Sequence, residues 1–447
     1  MKKFISTAVM LGATMATLLA APPATKPNII FILADDFGLD GVSCYGADAH
    51  QTPNIDKLAA SGLRFETCYA APVCGPSRCA LMTGRYAFRT GGLMNGSWAA
   101  GGPGAKSKDE QPMAKLLKQA GYATCSSGKW RQVGETPREW GFDEYCTDPT
   151  ANGWYWKDSY IKNGEIISGA HYNPDVIQEF SLDFIRRNKE RPFFLYYPMH
   201  LVHVPTLHTP LSAPTDGRER YQDNIAYMDK QVGELVAELD KLGIRDNTLV
   251  IFSGDNGTFG GNYEIYGEYP SPIRGRMING SKGSLLEGGS RVPLIASWPG
   301  TTPAGAVSQD IVNFTDMLST FVELGGGQLP KDFTYDSRSI APQLRGEKGN
   351  PREWAYVQLG AKWFVRESGW KLNESGELFD MSDAPFVEKS VAAGADTNAS
   401  KAARARLTAV LAELNPAGGK TVGGTSDGDG GGKGTKKAKK ANRQKEN

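Results

Sequence analysis

The sequence predicts an α/β fold with a mostly parallel sheet flanked by helices. Two observations carry that reading. Fully apolar runs of strand length alternate with segments of helix length, the pattern of parallel strands joined by helical crossovers. The apolar runs stop at acidic, basic or imidazole side chains, as strands do when their carboxyl ends open on a ligand site.

In chain order, Asn28–Leu33 (NIIFIL) is a buried-strand run that ends at Asp35-Asp36. Asn54–Ser61 is a helix closed by Gly62. Val73–Arg85 (VCGPSRCALMTGR) passes from a loop into a short helix with Gly84 as its stop. Met113–Ala120 is a helix closed by Gly121, and Tyr122–Cys125 is a weaker strand running into Gly128-Lys129-Trp130. A helix over Val176–Asn188 precedes the apolar run Pro192–Tyr197, which stops at His200 and His203. Tyr221–Leu242, closed by Gly243, is the longest helix, and Thr248–Phe252 is a strand stopping at Asp255-Asn256-Gly257.

The chain has 447 residues, 22% charged and 40% hydrophobic, which suits a large globular domain with a smaller one beside it. The net charge of +1 splits into +2 over residues 1–21, +5 over 416–447 and −6 between them. An acidic body argues against a nucleic-acid groove. Lys2 and Lys3, an apolar Ala-rich run to Leu19 and the small residues Ala20-Ala21 form a signal-peptide pattern over 1–21, so the protein is expected in a periplasm or outside the cell. No later segment is long and apolar enough to span a membrane. Residues 416–447 hold nine glycines and the run Lys436–Lys440, and are expected to be disordered. Six cysteines (44, 68, 74, 79, 125 and 146) would allow three disulfides in an oxidising compartment, and no CxxC pair points to zinc.

Asp35, Asp36, Asp255 and Asn256 offer hard oxygen donors, which favour Ca²⁺ or Mg²⁺ over zinc. Either pair alone is also the composition of a turn; together, at two strand ends, they point to a metal. Cys74 at a helix start near Arg78 is expected to have a depressed pKa and to be nucleophilic. Three residues separate Cys74 from Arg78, where a thiol phosphatase would have five.

Cys74-Gly75-Pro76-Ser77-Arg78, followed by Leu81-x-Thr83-Gly84-Arg85, resembles the signature of type I sulfatases, of the alkaline phosphatase-like superfamily. The resemblance runs from about Asn28 to Ala393 and takes in Asp35-Asp36, Gly128-Lys129-Trp130, Thr248–Gly257, Lys282-Gly283-Ser284-x-x-Glu287-Gly288-Gly289 and Glu377–Asp380. It implies that a maturation enzyme converts Cys74 to formylglycine. The aldehyde hydrates, one hydroxyl attacks sulfur, the alcohol leaves, and the second hydroxyl expels sulfate. It further implies Ca²⁺ held by Asp35, Asp36, Asp255, Asn256 and residue 74, with Arg78 holding the modified side chain and Lys129 and Lys282 binding sulfate. His203 matches the residue that contacts sulfate and protonates the leaving oxygen, a task suited by a pKa near working pH. His200 is either a wall of the site or a structural hydrogen-bonding group. The implied architecture is a catalytic domain over 26–325 and an α+β subdomain over 326–415, with a short antiparallel sheet including Ala355–Leu359 and Lys362–Arg366 and a helix over Ala402–Leu414.

The sequence departs from the family at two places. Met199–Pro205 (MHLVHVP) is similar to the family's P-H-x-P-H-x-P segment with two prolines replaced. Where the family reads Gly-Lys-Trp-His, residue 131 is arginine. Arginine stays protonated and cannot take the proton that the family's histidine takes; Arg131 could instead grip an anionic substrate. The leading expectation is an exported, arylsulfatase-like sulfatase acting on sulfate esters, of a small molecule or of a polysaccharide. Two rivals remain: a phosphoester or phosphonate hydrolase of the same superfamily, and a sulfated-glycan binding protein with impaired turnover. The aromatic cluster Trp154-Tyr155-Trp156 could stack on sugar rings or pack a surface loop.

Overall fold

A computed structural model of the chain describes residues 26–97, 104–130, 135–148, 155–261, 269–392 and 394–420. The predicted signal segment 1–21, Arg131, Trp154 and the tail from residue 421 lie outside the described residues.

A ten-stranded mixed sheet forms the body. Its centre is a parallel block made of β8 (Thr248–Gly254), β1 (Asn28–Ala34), β7 (Phe193–Pro198), β3 (Ala123–Ser127) and β4 (Glu144–Thr147), in that order. The four strands read from the sequence are thus direct neighbours. On the β8 side follow the antiparallel β9 (Arg291–Ser297), then β2 (Leu63–Tyr69) and β10 (Ala306–Asn313). On the β4 side, the hairpin β5 (Trp156–Lys162) and β6 (Glu165–Tyr172) extends the sheet.

Strand β1 shows why its run is wholly apolar: alternate side chains enter different cores. Ile30 and Ile32 pack with residues of α1 (Pro53–Ala60), α5 (Asn173–Asn188) and α6 (Gly217–Lys241) on one face. Ile29, Phe31 and Leu33 pack on the other face with α2 (Cys74–Thr83), α4 (Met113–Gln119) and the helix Asp316–Leu324. A strand covered on both faces has no position left for a polar residue until it ends.

A second sheet of five antiparallel strands, β11 (Ala355–Leu359), β12 (Lys362–Arg366), β13 (Trp370–Asn373), β14 (Leu378–Asp380) and β15 (Lys389–Val391), packs Val365, Leu372 and Leu378 on Leu407 of the helix Asn398–Leu414.

Several helices begin earlier than expected. Helix α6 starts at Gly217 because Asp216 caps it, accepting from the backbone N–H of Arg218 at 2.8 Å and Glu219 at 3.2 Å. Thr397 likewise caps the last helix at Asn398, and Pro174 occupies the first turn of α5. Order also continues into the stretch expected to be disordered: Pro416–Gly418 form a 3₁₀ turn, and the Lys420 N–H donates to Phe88 O at 2.8 Å. All six cysteines are free, so the allowed disulfides are not formed. Five are buried, Cys68 on β2, Cys74 and Cys79 on α2, Cys125 on β3 and Cys146 on β4, and Cys44 is half-buried in the 3₁₀ turn Ser43–Tyr45. No helix among the described residues is long and apolar enough to cross a membrane.

Candidate active site

The carboxyl ends of β8, β1, β7 and β3 converge, and backbone hydrogen bonds lock them together. Asp35 N–H donates to Leu201 O, Val202 N–H to Asp35 O, Asp255 N–H to Ala34 O and Lys129 N–H to Pro198 O, at 2.8–3.0 Å. Gly128 permits the last of these: at φ +134°, any Cβ would fall 1.9 Å from Pro198 O. Asp36 adopts a left-handed φ of 58° without being glycine, a conformation sustained by the bond from its N–H to Asp255 Oδ1 at 3.0 Å.

Asp35, Asp36, Asp255 and Asn256 are fully buried there, as are Cys74, Arg78 and Lys129, while His203 is 3% exposed. Cys74 opens α2, with Gly84 at φ 65° ending the helix, as read from the sequence. The Cys74 Sγ lies 3.3 Å from Asp35 Oδ1, 3.6 Å from Asp36 Oδ1 and 3.6 Å from Lys129 Nζ. Arg78, one turn on, bonds Asp255 Oδ2 through Nε at 3.0 Å and Nη2 at 2.7 Å. Lys129 Nζ donates to Asp35 Oδ2 at 2.6 Å, and Lys282 Nζ to Asp36 Oδ2 at 2.7 Å. His203 Nε2 faces Lys282 Nζ at 3.4 Å and Asp36 Oδ2 at 3.6 Å, while its Nδ1 lies 2.6 Å from Val204 O.

Three buried carboxylates therefore meet three buried cations. Burial opposes ionisation of Asp35, but Lys129, His203, Arg78 and Lys282 together hold it well below the usual carboxylate range. Burial likewise raises Asp36, and Lys282 with His203 outweighs it, so its carboxyl stays lowered. Asp255 is pushed up to about 6 by burial and by Asp35, against Arg78.

Two expectations are reversed. The Cys74 thiol is raised well above its ordinary value, because burial and the Asp255 carboxylate outweigh the lysines. His203 falls to about 4 through burial and the charge of Lys129, so it is neutral at neutral pH instead of titrating there.

The residues present fit a hard cation. Asn256 donates through Nδ2 to Asp36 Oδ1 at 2.8 Å, yet its Oδ1 is buried with no hydrogen-bond partner. An orphaned amide oxygen beside clustered carboxylates is the donor set that Ca²⁺ or Mg²⁺ takes. Among the described residues, Asp35, Asp36, Cys74 and His203 form the one group of His, Cys, Asp and Glu close enough to share an ion.

The other histidines separate by their partners. His200 Nε2 pairs with Asp148 Oδ1 at 2.9 Å, both buried. His208 is exposed and stacks on Trp156 at 4.9 Å. His50 is buried edge-on against Tyr221. Sequence reasoning missed two participants, Asp148 and Asn95, and read Tyr155 only as part of an aromatic cluster. Asp148 follows β4 as Asp35 follows β1, so the strand-end signal was there to be used. Asn95, whose Oδ1 accepts from Gly75 N–H at 2.8 Å, gives no local signal, and nothing in the aromatic cluster pointed to the bond by which Tyr155 donates to His203 O at 2.7 Å.

Carboxylates and cations thus surround Cys74 at the carboxyl ends of neighbouring strands. The comparisons give the family. Residues 27–327 match the family model described as Sulfatase. An N-acetylgalactosamine-6-sulfatase of Canis lupus familiaris is 33% identical over 386 residues, 78% of this chain and 72% of that one. Arylsulfatase D of Homo sapiens is 29% identical over 455 residues, covering 80% and 76%. The crystal structure of Ps i-CgsB superposes with a TM-score of 0.73 at 30% identity over 88% of this chain and 92% of that one, and its complex with k-i-k-neocarrahexaose matches equally at 29%. The chain belongs to the sulfatase family, and its enzyme class is that of the sulfuric ester hydrolases.

Proposed function

We propose that this protein is an exported sulfatase that hydrolyses sulfate esters of a carbohydrate, using a formylglycine made from Cys74 by a maturation enzyme and a Ca²⁺ ion held by Asp35, Asp36, Asp255, Asn256 and residue 74. The observation that carries the reading is the meeting of Cys74 with Asp35, Asp36 and Lys129 within 3.6 Å in a fully buried cluster. The carbohydrate part is supported by the names of the relatives, an N-acetylgalactosamine-6-sulfatase and a protein solved with k-i-k-neocarrahexaose.

A Ca²⁺ ion held by Asp35, Asp36, Asp255 and Asn256 would supply polarisation of a sulfate oxygen, and a hydrated aldehyde at position 74 would supply the oxygen nucleophile. The chain's own side chains do the rest. Arg78 fixes Asp255 through two bonds and so holds the ligand set in shape. Lys129 and Lys282 place positive charge where the transferring sulfuryl group gathers negative charge. The Val204 carbonyl fixes the His203 ring, leaving Nε2 beside Lys282. Burial and the charges of Lys129 and Lys282 depress His203; a sulfate ester entering here offsets the charges, so the pair Lys282–His203 can hold a proton where the leaving oxygen needs it.

The test is the mass of the Cys74 peptide from protein purified from its own cells. Exchange of H₂S for O supports the reading, together with Ca²⁺ in the purified protein and sulfate released from a panel of sulfated glycans. An unmodified thiol in cells whose other sulfatases are converted would sink it.

Arg131 favours a second reading, a sulfated-glycan binding protein with little turnover. Restoring the family residue decides between them. Arg131→His raises kcat by about 10²-fold if a missing base limits turnover, and leaves it at background if the site only binds.

A further inference from the structure

Lys282 projects from a loop with two glycines in left-handed conformations, Gly280 at φ +91° and Gly283 at φ +84°. Such a backbone has more freedom than a sulfate-binding lysine tolerates, since a displacement of about 1 Å in a positioning group can cost 10²-fold in rate. On one side the loop is tied to the segments that follow β8 and β2: Lys282 N–H donates to Thr258 O at 2.9 Å and Gly283 N–H to Pro72 O at 2.8 Å. Its other side is tied to the five-stranded sheet. Lys371 Nζ, from β13, donates to Leu285 O at 2.8 Å. Glu388, just before β15, accepts from Glu287 N–H through Oε1 at 2.9 Å. Asn279 N–H donates to Pro385 O at 3.0 Å.

Lys371 and Glu388 also form an ion pair, with side chains only 4% and 2% exposed. The ammonium lies over the Phe364 ring at 4.5 Å. A buried pair of this kind adds little stability over apolar residues of the same volume, so its presence calls for another reason. Each member also makes one hydrogen bond to the backbone of the Lys282 loop.

We infer that Lys371 and Glu388 are positioning residues for Lys282, and that the small sheet is a structural arm of the sulfate site. The inference rests on the reading of Lys282 as a sulfate-binding group. Neither residue touches the site: Lys371 and Glu388 hold Leu285 and Glu287, and these set the height from which Lys282 reaches Asp36.

The experiment is titration calorimetry of inorganic sulfate into the purified full chain in calcium-containing buffer, with thermal melting of each variant. Lys371→Met and Glu388→Gln are each expected to weaken sulfate binding about tenfold while the chain remains folded at the assay temperature, and Lys371→Arg to recover most of the loss. In a Lys282→Ala background, Glu388→Gln should cost nothing further, because two residues acting through one group are not additive. Unchanged sulfate affinity in a folded variant, or the same tenfold loss with Lys282 already gone, overturns the inference. If Lys371→Met does not fold, the isosteric Glu388→Gln and its double variant decide alone. Wild-type protein that binds no sulfate, or a Lys282→Ala variant that binds it normally, fails earlier and differently: it removes Lys282 from the sulfate site and the inference with it.

Discussion

Lys129 Nζ stands 2.6 Å from Asp35 Oδ2 with both side chains fully buried. The contact ties the end of β3 to the end of β1, two strands that are not neighbours in the sheet. Removing one member of a buried pair strands the other, at about 3–5 kcal/mol. Lys129→Met should therefore lose about that much stability when metal is chelated, and Ca²⁺ should restore most of it by neutralising Asp35 instead. Denaturant melts in EDTA and in Ca²⁺ check this. An equal loss in both would mean that no cation sits beside Asp35.

Calcium affinity should depend on pH through Asp255. Its carboxyl, raised to about 6, takes up a proton in the metal-free site below that pH, and an ion needs the carboxylate. Affinity should stay level above about pH 6 and fall about tenfold per unit below it. A titration that is flat from about pH 7 to about pH 5 would take Asp255 out of the ligand set.

Acid should destabilise the fold through His50. Burial lowers it to about 4, against 6.5 for a free histidine. Between those values the unfolded chain binds the proton and the native state does not, so stability falls as pH drops from about 6.5 to about 4 and is fully present above. The share of this one group is about 3 kcal/mol. His50→Phe should flatten the slope of stability against pH in that window, whatever it does to the value at neutral pH.

Trp156 offers a test of the carbohydrate reading. Its indole is 40% exposed and held in place by Nε1 donating to His208 O at 3.0 Å and by the stacked His208 ring. If a sugar ring lies on it, Trp156→Ala should raise KM for a polymeric substrate about three- to tenfold, the 0.5–1.5 kcal/mol scale of an aromatic contact. KM for a small aryl sulfate should not move. Equal change in both would assign Trp156 to packing of the hairpin.

The parallel centre of the sheet was legible because strands covered on both faces must be apolar throughout, and the chemistry was legible because it begins where those runs stop. Strand β9 was not. Pro293 interrupts it between two partner strands, which argues against an interior strand, and the structure accommodates it with a register shift between Phe65 and Cys68 of β2. The hairpin β5–β6 was hidden for the opposite reason: WKDSYIK is partly exposed along its length and carries no apolar run. At the site, side-chain identities were readable from local motifs while their ionisation was not. Arg78 and a helix start argue for an acidic Cys74, but burial in the folded core reverses this, helped by the carboxylates that follow β8 and β1, far away in sequence.

The complete burial of Cys74 also sets an order of events. An enzyme that oxidises its sulfur must take the surrounding segment into its own groove, and in the finished fold that segment is a helix packed on all but a few of its side chains. On the reading proposed above, the modification of Cys74 would therefore have to precede the docking of α2. A molecule that folds first would then keep its thiol, and the active fraction of a preparation would record a race between folding and maturation.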